Sequence, residues 1–526
     1  MSTPIRTSVT DPLQIAELPA DNGIIGLTFC PGKCQPNALS GSWQRDLATD
    51  IAAIIRWGAT SVVTLMEDFE LVRYQVPALG AAIEAAGLEW HHLPIPDGGT
   101  PDKSFECHWF YVGLRLRHQL LQGGKVLLHC RGGLGRTGMI AARLLVELSH
   151  NAGEAILAVR AVRPGAIETL AQERYVDACG PVGPDAEISS RRLGSLLGGA
   201  AGDAFGYVVE FDSLTDIRKR YGKAGLTRIV LTRGQFVVSD DTQMTLFTAE
   251  GLLRGSGANL DLDSAAMTEE IRRSYLDWLV TQGEECSNWE KAGHLCDRPR
   301  LRHRRAPGHA CLSALKVGGH GTPAQPINES KGCGGVMRAA PYGWVPGVTV
   351  ESAYQGAKSA AALTHGHPDG YLSAGAMAAI IHELMSGVDL VSAARTALNL
   401  LKADSDAGKG SLTGDKITTA LALAGAGLPP GEAIATLGEG WVGEEAIAIG
   451  LYAALVGKSF EDVLALAANH DGDSDSTASI GGQIWGAWKG IHQIPNTYIR
   501  DLDVLDEALE IAAHPGWNAP DAGRAI

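Results

Sequence analysis

The sequence predicts a chain in two parts, an α/β layer with a central, largely parallel sheet followed by an all-α domain. Three observations carry this. Up to about residue 178, short Val-, Ile- and Leu-rich runs alternate with stretches whose apolar residues recur three and four apart, the pattern of strand–helix–strand units. Then Cys179-Gly-Pro-Val-Gly-Pro-Asp-Ala-Glu-Ile-Ser-Ser190 breaks the pattern with two Gly-Pro-type turns. From Arg191 onward, long Ala- and Leu-rich amphipathic stretches replace the alternation. The predicted domains are therefore 1–178 and 191–526, with a linker over 179–190.

In the first part, Gly23–Phe29, Ser61–Met66, Leu88–Ile95 and Lys125–Leu128 are short, apolar and rich in β-branched residues, so they are predicted strands. Helices are predicted between and after them over Trp43–Ile55, Val76–Ala86, Phe105–Leu121 and Thr137–Leu148. In the second part the helical pattern covers Thr242–Leu253, Ala266–Thr281, Val350–Thr364, Tyr371–Met385, Glu432–Leu437, Glu444–Val456 and Phe460–Asn469, and a further helix runs through Trp488. Small residues at the packing positions let such helices approach closely.

The 526 residues carry a formal charge of −15, which argues against a nucleic-acid coat or an anionic membrane surface as the main partner. The one basic run, Arg298–Arg305, reads as a solvated loop. Glycine is in excess, 65 residues without a collagen period, which places it in tight turns, helix contacts and ligand-hugging loops. Nine scattered cysteines read as reduced thiols and, with no signal-peptide-like apolar segment after Met1 and no long apolar run, point to a cytoplasmic protein.

Val126-Leu-Leu-His-Cys130-Arg-Gly-Gly-Leu-Gly-Arg136-Thr-Gly138 reads as a strand, a Gly-rich loop and a helix. Five residues separate Cys130 from Arg136, enough for the N–H groups of Arg131, Gly132, Gly133, Leu134 and Gly135 to curl around one anion at a helix N-terminus. That field lowers the pKa of Cys130 and makes it a thiolate nucleophile. Arg136 can grip two phosphoryl oxygens, and Thr137 can donate to the sulfur as it leaves.

These residues resemble the His-Cys-x-x-Gly-x-x-Arg-Ser/Thr signature of tyrosine and dual-specificity phosphatases. Gly26–Lys33, Pro94–Pro101 and Gly165–Thr169 are most similar to the cyclin-dependent kinase-associated phosphatases. The resemblance implies that Asp97 is the general acid, on a loop hinged by Pro96 and Gly98, and that this domain needs no cofactor. It departs from the family at Glu168, where relatives often carry Gln to position the hydrolytic water. With only Arg131 as an extra cation in the loop, a phosphoprotein is a better substrate than a phosphoinositide.

Two acidic clusters, Ser239-Asp240-Asp241 and Asp471-Gly-Asp473-Ser-Asp475-Ser476, each precede a predicted helix. Singly, each is a helix cap as readily as a ligand set; together they can face a cation from two sides. The second cluster is not an EF-hand, because Ser476 and Gly482 stand at its sixth and twelfth positions. All-oxygen donors suit Mg²⁺ or Mn²⁺. A zinc site from His294, Cys296, His303, His309 and Cys311 has no zinc-like spacing.

Around these clusters the chain resembles the ADP-ribosylglycohydrolases, over roughly residues 191–490. The motifs are Gly199–Gly206 with Glu210, Ser239–Thr245, Arg305–Gly308, Gly332–Arg338, Thr364–Pro368 and Asp473–Ser476. The resemblance implies that Ser239, Asp240, Asp241, Asp473, Asp475 and Ser476 ligate two divalent ions and that Glu210 lies beside the scissile ribose. It implies further that Ser330, Lys331, Gly332, Cys333, Gly334 and Gly335 wrap the diphosphate, and that His365 contacts the ribose-phosphate portion. The base is either Glu210 or a metal-ligating Asp. The whole reads as a bifunctional hydrolase acting on ADP-ribosylated and phosphorylated proteins, with ADP-ribose as one product. The alternative keeps the phosphatase-like domain as a phosphoprotein-binding module that delivers the hydrolase.

Overall fold

The computed structural model describes residues 5–38, 41–183, 186–255, 261–286 and 289–518. The chain divides into two compact units, Met1–Ala186 and Glu187–Ile526. Pro184 and Asp185 of the predicted linker lie outside the described residues. Ala186 already begins a helix that runs to Tyr207, so the helical part starts earlier than the composition change at Arg191 suggests. Among the described residues, no helix is long and apolar enough to cross a membrane.

The first unit is built on a five-stranded sheet. Its strands are β1 (Ala16–Ala20), β2 (Gly23–Phe29), β5 (Ser61–Thr64), β6 (Glu89–His92) and β7 (Lys125–Cys130), in the order β1-β2-β7-β5-β6. A separate hairpin comprises β3 (Cys34–Ala38) and β4 (Gly41–Gln44). The pairs β2–β7, β7–β5 and β5–β6 are parallel, and β1 adds an antiparallel edge that the sequence pattern did not reveal. All four predicted strands form, but two are shorter than expected. Beyond β6, Leu93 and Ile95 still donate to Thr64 and Leu65 carbonyls, at 3.0 and 3.2 Å. These bonds carry Pro94–Asp97 past the carboxyl ends of the central strands, where ligands bind in open α/β sheets. The register sets Cys130 beside Phe29 and His129 beside Thr64, so the nucleophile loop leaves the sheet at that same edge. Helices Lys103–Leu121 and Gly135–Glu147 pack on β2 and β7.

The second unit is helical throughout its core. Every helix predicted from periodicity is present, within a few residues at each end. The sequence pattern missed several others, including Leu390–Ala403, Thr413–Ala426 and, most consequentially, Ala186–Tyr207. Glycines at 194, 198, 202 and 206 lower its intrinsic helix propensity. They are also the reason it forms. At four-residue spacing they make a smooth face that lies antiparallel on Ser474–Lys489, with Gly194 against Gly486, Gly198 against Gly482, Gly202 against Ala478 and Gly206 against Ser474. A Cβ on Gly198 would sit 2.5 Å from the Gly482 carbonyl oxygen, and one on Gly202 or Gly206 would press still harder on the facing backbone. Tertiary packing overrides propensity here.

Because the contact is backbone on backbone, the far helix cannot yield. Gly202→Val is expected to lower the stability of this unit by about 3 kcal/mol, the upper range for overpacking a close contact. Calorimetry of the full chain should show the corresponding transition moving down by several degrees. An unmoved transition would mean that the two helices are free to separate.

Candidate functional site

Each unit carries a candidate site. In the first, β7 delivers Cys130 and the helix Gly135–Glu147 begins five residues later. Gly133, with φ of +71°, turns the loop so that its N–H donates to Cys130 Sγ at 3.3 Å, and a Cβ there would strike the Thr28 carbonyl. Arg163 holds the outer rim, donating to the carbonyls of Gly132 and Gly133 at 3.2 Å each. Two loop carbonyls are thus engaged from outside the loop, while two of its N–H groups, those of Gly133 and Gly135, donate to Cys130 Sγ and Glu168 Oε2. His129, buried under the loop against Thr64 Oγ1 at 2.7 Å, is kept neutral because burial lowers its pKa to about 3. Thr137 Oγ1 is buried without a hydrogen-bond partner.

Arg136 is almost fully buried and rigidly oriented. It donates to Glu70 through both terminal nitrogens, at 2.6 and 2.9 Å, to the carbonyls of Leu65 and Ile95, and to Asp97 Oδ1 at 3.0 Å. Burial works against the Glu70 charge, yet the hydrogen bonds from Arg136 and from the Glu67 N–H hold its carboxyl below the usual range. Asp97 is half-exposed and spans Arg136 and Arg131, the latter at 2.8 Å. Glu168 Oε2 accepts the Gly135 N–H at 2.9 Å, so the residue in the place of the family's Gln rests on the first turn of the loop helix.

The second site is a cavity of about 230 Å³ whose lining includes Glu210, Asp240, Asp241, Asp473, Asp475 and Ser476, together with Gly332, Cys333, Gly334 and His365. The two acidic clusters, more than 230 residues apart in sequence, meet there. Glu210, Asp473 and Asp475 each place an oxygen within 4.8 Å of the others. Burial, reinforced by the neighbouring carboxylates, pushes Glu210 up to about 9 and Asp240 up to about 8, and it lifts Asp241 and Asp475 well above the ordinary range. Asp241 Oδ2 and Glu210 Oε2 are buried without hydrogen-bond partners. Among the described residues, no Lys or Arg lines the cavity.

Of the predicted diphosphate segment, Gly332, Cys333 and Gly334 reach the cavity. Its backbone is pinned by Cys333 N–H to the Trp441 carbonyl at 3.2 Å and by Gly443 N–H to the Lys331 carbonyl at 2.8 Å. The Lys331 ammonium is engaged by Glu444 at 2.6 Å, Ser330 Oγ accepts the Gly332 N–H, and Gly335 packs on the Gly370 carbonyl. Ser239 Oγ accepts the Asp241 N–H at 3.2 Å, and Cys333 Sγ donates to Asp473 Oδ2 at 2.8 Å.

Comparison with known proteins matches each unit to a family. Residues 184–520 match the model for ADP-ribosylglycohydrolase, and residues 3–156 match the model for cyclin-dependent kinase inhibitor 3 (CDKN3). The rat cyclin-dependent kinase inhibitor 3 is 36% identical over 172 residues, 31% of this chain and 77% of that protein. The chain belongs to both families. ADP-ribosyl-[dinitrogen reductase] glycohydrolase of Rhodospirillum rubrum is 24% identical over 329 residues, 61% of this chain and 92% of that one. A solved structure of kinase associated phosphatase is 31% identical and covers 32% of this chain and 93% of its own, with a TM-score of 0.29.

The glycohydrolase cavity fits a divalent cation. Its donors are hard oxygens, two of them orphaned, and like charges this close need a counter-ion. Asp203, inside the Gly199–Gly206 motif, had no role assigned from sequence. It is fully buried and accepts the N–H groups of Ser239 and Thr242 at 2.8 and 2.9 Å, and so fixes the helix start that presents Asp240 and Asp241. The only sequence signal was an aspartate within a Gly- and Ala-rich stretch. Glu70, the partner of Arg136, had no sequence signal at all.

The basic run Arg298–Arg305 is largely exposed, as expected of a solvated loop, with Arg300, Arg302, His303 and Arg304 all at the surface, but several of its arginines are paired. Arg304 pairs with Glu284 at 2.8 Å, Arg298 with Glu510, and Arg305 with Asp503 at 2.5 Å, and the Arg305 carbonyl accepts the Asp240 N–H. Of these pairs, only Arg305 with Asp503 is buried. The candidate zinc set is divided: His294 pairs with Glu250, Cys296 donates to the Gly293 carbonyl, and His309 and Cys311 line the cavity.

Glu70→Ala would leave the buried Arg136 guanidinium without its bidentate partner, at a cost of about 3 kcal/mol. Binding of tungstate, a phosphate-sized oxyanion, should weaken at least about tenfold as the arginine loses its orientation. Calorimetric titration reads this directly, and unchanged affinity would show that the loop alone holds Arg136 in place.

Proposed function

We propose that this chain is a bifunctional hydrolase, a Cys130-dependent phosphomonoesterase joined to a divalent-metal-dependent ADP-ribosyl hydrolase. The observation that carries the reading is the pairing on one chain of two oppositely prepared sites, an N–H cradle around a cysteine and a carboxylate cavity with orphaned oxygens.

In the first reaction the Cys130 sulfur attacks phosphorus and the bond to the leaving oxygen breaks, Asp97 supplying that oxygen with a proton. Arg136, already oriented, binds two equatorial oxygens, while the loop N–H groups take the developing charge. Water then attacks the phosphocysteine and the P–S bond breaks, the Asp97 carboxylate taking the water's proton; phosphate departs, and Thr137 Oγ1, buried without a hydrogen-bond partner, donates to the returning thiolate.

In the second reaction Asp240, Asp241, Asp473, Asp475, Ser239 and Ser476 would hold the cations. Bound Mg²⁺ or Mn²⁺ would polarise hydroxyls and water at the ribose. The residues themselves supply the rest. The Gly332–Gly334 backbone receives the diphosphate, His365 faces the ribose-phosphate, and the carboxylates favour an oxocarbenium-like centre over the neutral sugar. Glu210 or one of the aspartates takes the proton from the attacking water. The acceptors are ADP-ribosylated proteins, and ADP-ribose is released.

A second reading, in which the phosphatase-like unit mainly binds phosphoproteins, is favoured by one observation, the Glu168 carboxylate seated on the Gly135 N–H. Turnover separates the two. Cys130→Ser should abolish hydrolysis of an aryl phosphate and leave ADP-ribosyl hydrolysis near wild type. Wild-type protein that binds the ester without consuming it would sustain the binding-module reading instead.

The metal requirement should divide the two activities. EDTA should stop ADP-ribosyl hydrolysis and spare the phosphatase, with Mg²⁺ or Mn²⁺ restoring the former, and Asp475→Asn should mimic EDTA for the hydrolase alone. Hydrolase activity that survives both treatments would reduce the acidic clusters to helix caps.

A further inference from the structure

Glu168 is placed with more care than an ordinary loop carboxylate. Ile167, just before it, is a β-branched and buried residue held at φ of +60°. That region costs such a side chain of order 1–3 kcal/mol and persists only where the surroundings impose it. Here they do. Arg160 donates to the carbonyls of Ala166 and Ile167 at 3.1 and 3.0 Å, and the Ile167 N–H reaches the Leu134 carbonyl at 3.4 Å. The buried Gln172 accepts the Glu168 N–H at 2.9 Å and donates to the Gly99 carbonyl at 3.2 Å, two residues beyond Asp97. The outcome of this bracing is a single contact, Glu168 Oε2 on the Gly135 N–H, at the first turn of the helix that begins inside the Cys130–Arg136 loop.

We propose that Glu168 is a positioning residue that sets the charge of the phosphate cradle, weakening its grip on oxyanions and the reactivity of Cys130 toward anionic electrophiles. The strained turn holds a carboxylate on the Gly135 N–H, at the helix N-terminus that would otherwise favour an incoming anion. The other charged groups around the cradle are Arg131, Arg136, Arg163 and Lys33 on the positive side and Asp97 and Glu70 on the negative side. Glu70 and Asp97 are matched to Arg136 and Arg131. Glu168 instead sits on a neutral backbone donor, so its charge acts on whatever anion enters. The consequence is selectivity. A lone phosphoryl group bound through Arg136 is tolerated, whereas a ligand bringing further negative charge to this rim is disfavoured. Phosphate release is also faster than from a cradle bearing Gln.

The inference rests on reading the first unit as a cysteine phosphatase, but its test needs no turnover. Glu168→Gln keeps an oxygen to accept the Gly135 N–H and removes only the charge. In the full chain, tungstate should bind the Gln variant about tenfold more tightly than wild type, as expected for one unit charge removed a few ångströms from the anion. The difference should shrink in 1 M salt, since Glu168 is partly exposed to solvent. A second readout distinguishes charge from shape. Alkylation of Cys130, followed by mass spectrometry of its peptide, should accelerate several-fold with anionic iodoacetate and much less with neutral iodoacetamide. Glu168→Ala, which loses both charge and hydrogen bond, should reproduce the iodoacetate preference even where its thermal stability falls. Equal tungstate affinity in wild type and Gln variant, or equal acceleration by the two reagents, would overturn the proposal and leave Glu168 a helix cap. A wild-type chain that shows the charge effect yet hydrolyses no aryl phosphate would instead refute the phosphatase reading.

Discussion

The second unit depends on one contact, the backbone-to-backbone approach of Ala186–Tyr207 and Ser474–Lys489. Four glycines at four-residue spacing on the first helix, met by Gly486, Gly482, Ala478 and Ser474 on the second, bring the two axes closer than any side chain would allow. The first helix carries Asp203, which ties down Ser239 and Thr242, and it ends shortly before Glu210. The second begins at Ser474, flanked by Asp473 and followed by Asp475. A shift of even a methyl group between them would spread the carboxylates that share the cavity. Part of the glycine excess is therefore tied to the geometry of the carboxylate cavity.

The two sites are prepared by opposite means. In the first unit the protein removes alternatives for an anion: two loop carbonyls are engaged by Arg163, a guanidinium is locked by Glu70, and an imidazole below is kept neutral by burial. In the second it accumulates buried carboxylates with no Lys or Arg lining the cavity among the described residues, a costly arrangement that a divalent cation would relieve. Glu168 is where the first strategy is deliberately blunted, by a carboxylate on one of the donors.

Much of the fold was legible in the sequence because its elements are strongly periodic. The parallel strands and most long helices of the second unit follow the apolar pattern closely. The helix Ala186–Tyr207 did not, because its glycines read locally as breakers while serving a partner nearly 300 residues away. The edge strand β1 was missed for a similar reason: its pairing with β2, not its composition, makes it a strand.

By itself the sequence determined which groups are candidates for the chemistry, since Cys130 and Arg136 at a fixed loop spacing and aspartates at helix starts are local signals set by backbone geometry. It could not determine their partners. That Glu70 grips Arg136, that Asp203 organises the start of Asp240–Gly255, that Arg305 accepts the Asp240 N–H, and that a strained Ile167 sets Glu168 on Gly135 were decided by the tertiary structure. Orientation is imposed by groups distant in the chain, and their pairing leaves no periodic trace in either segment.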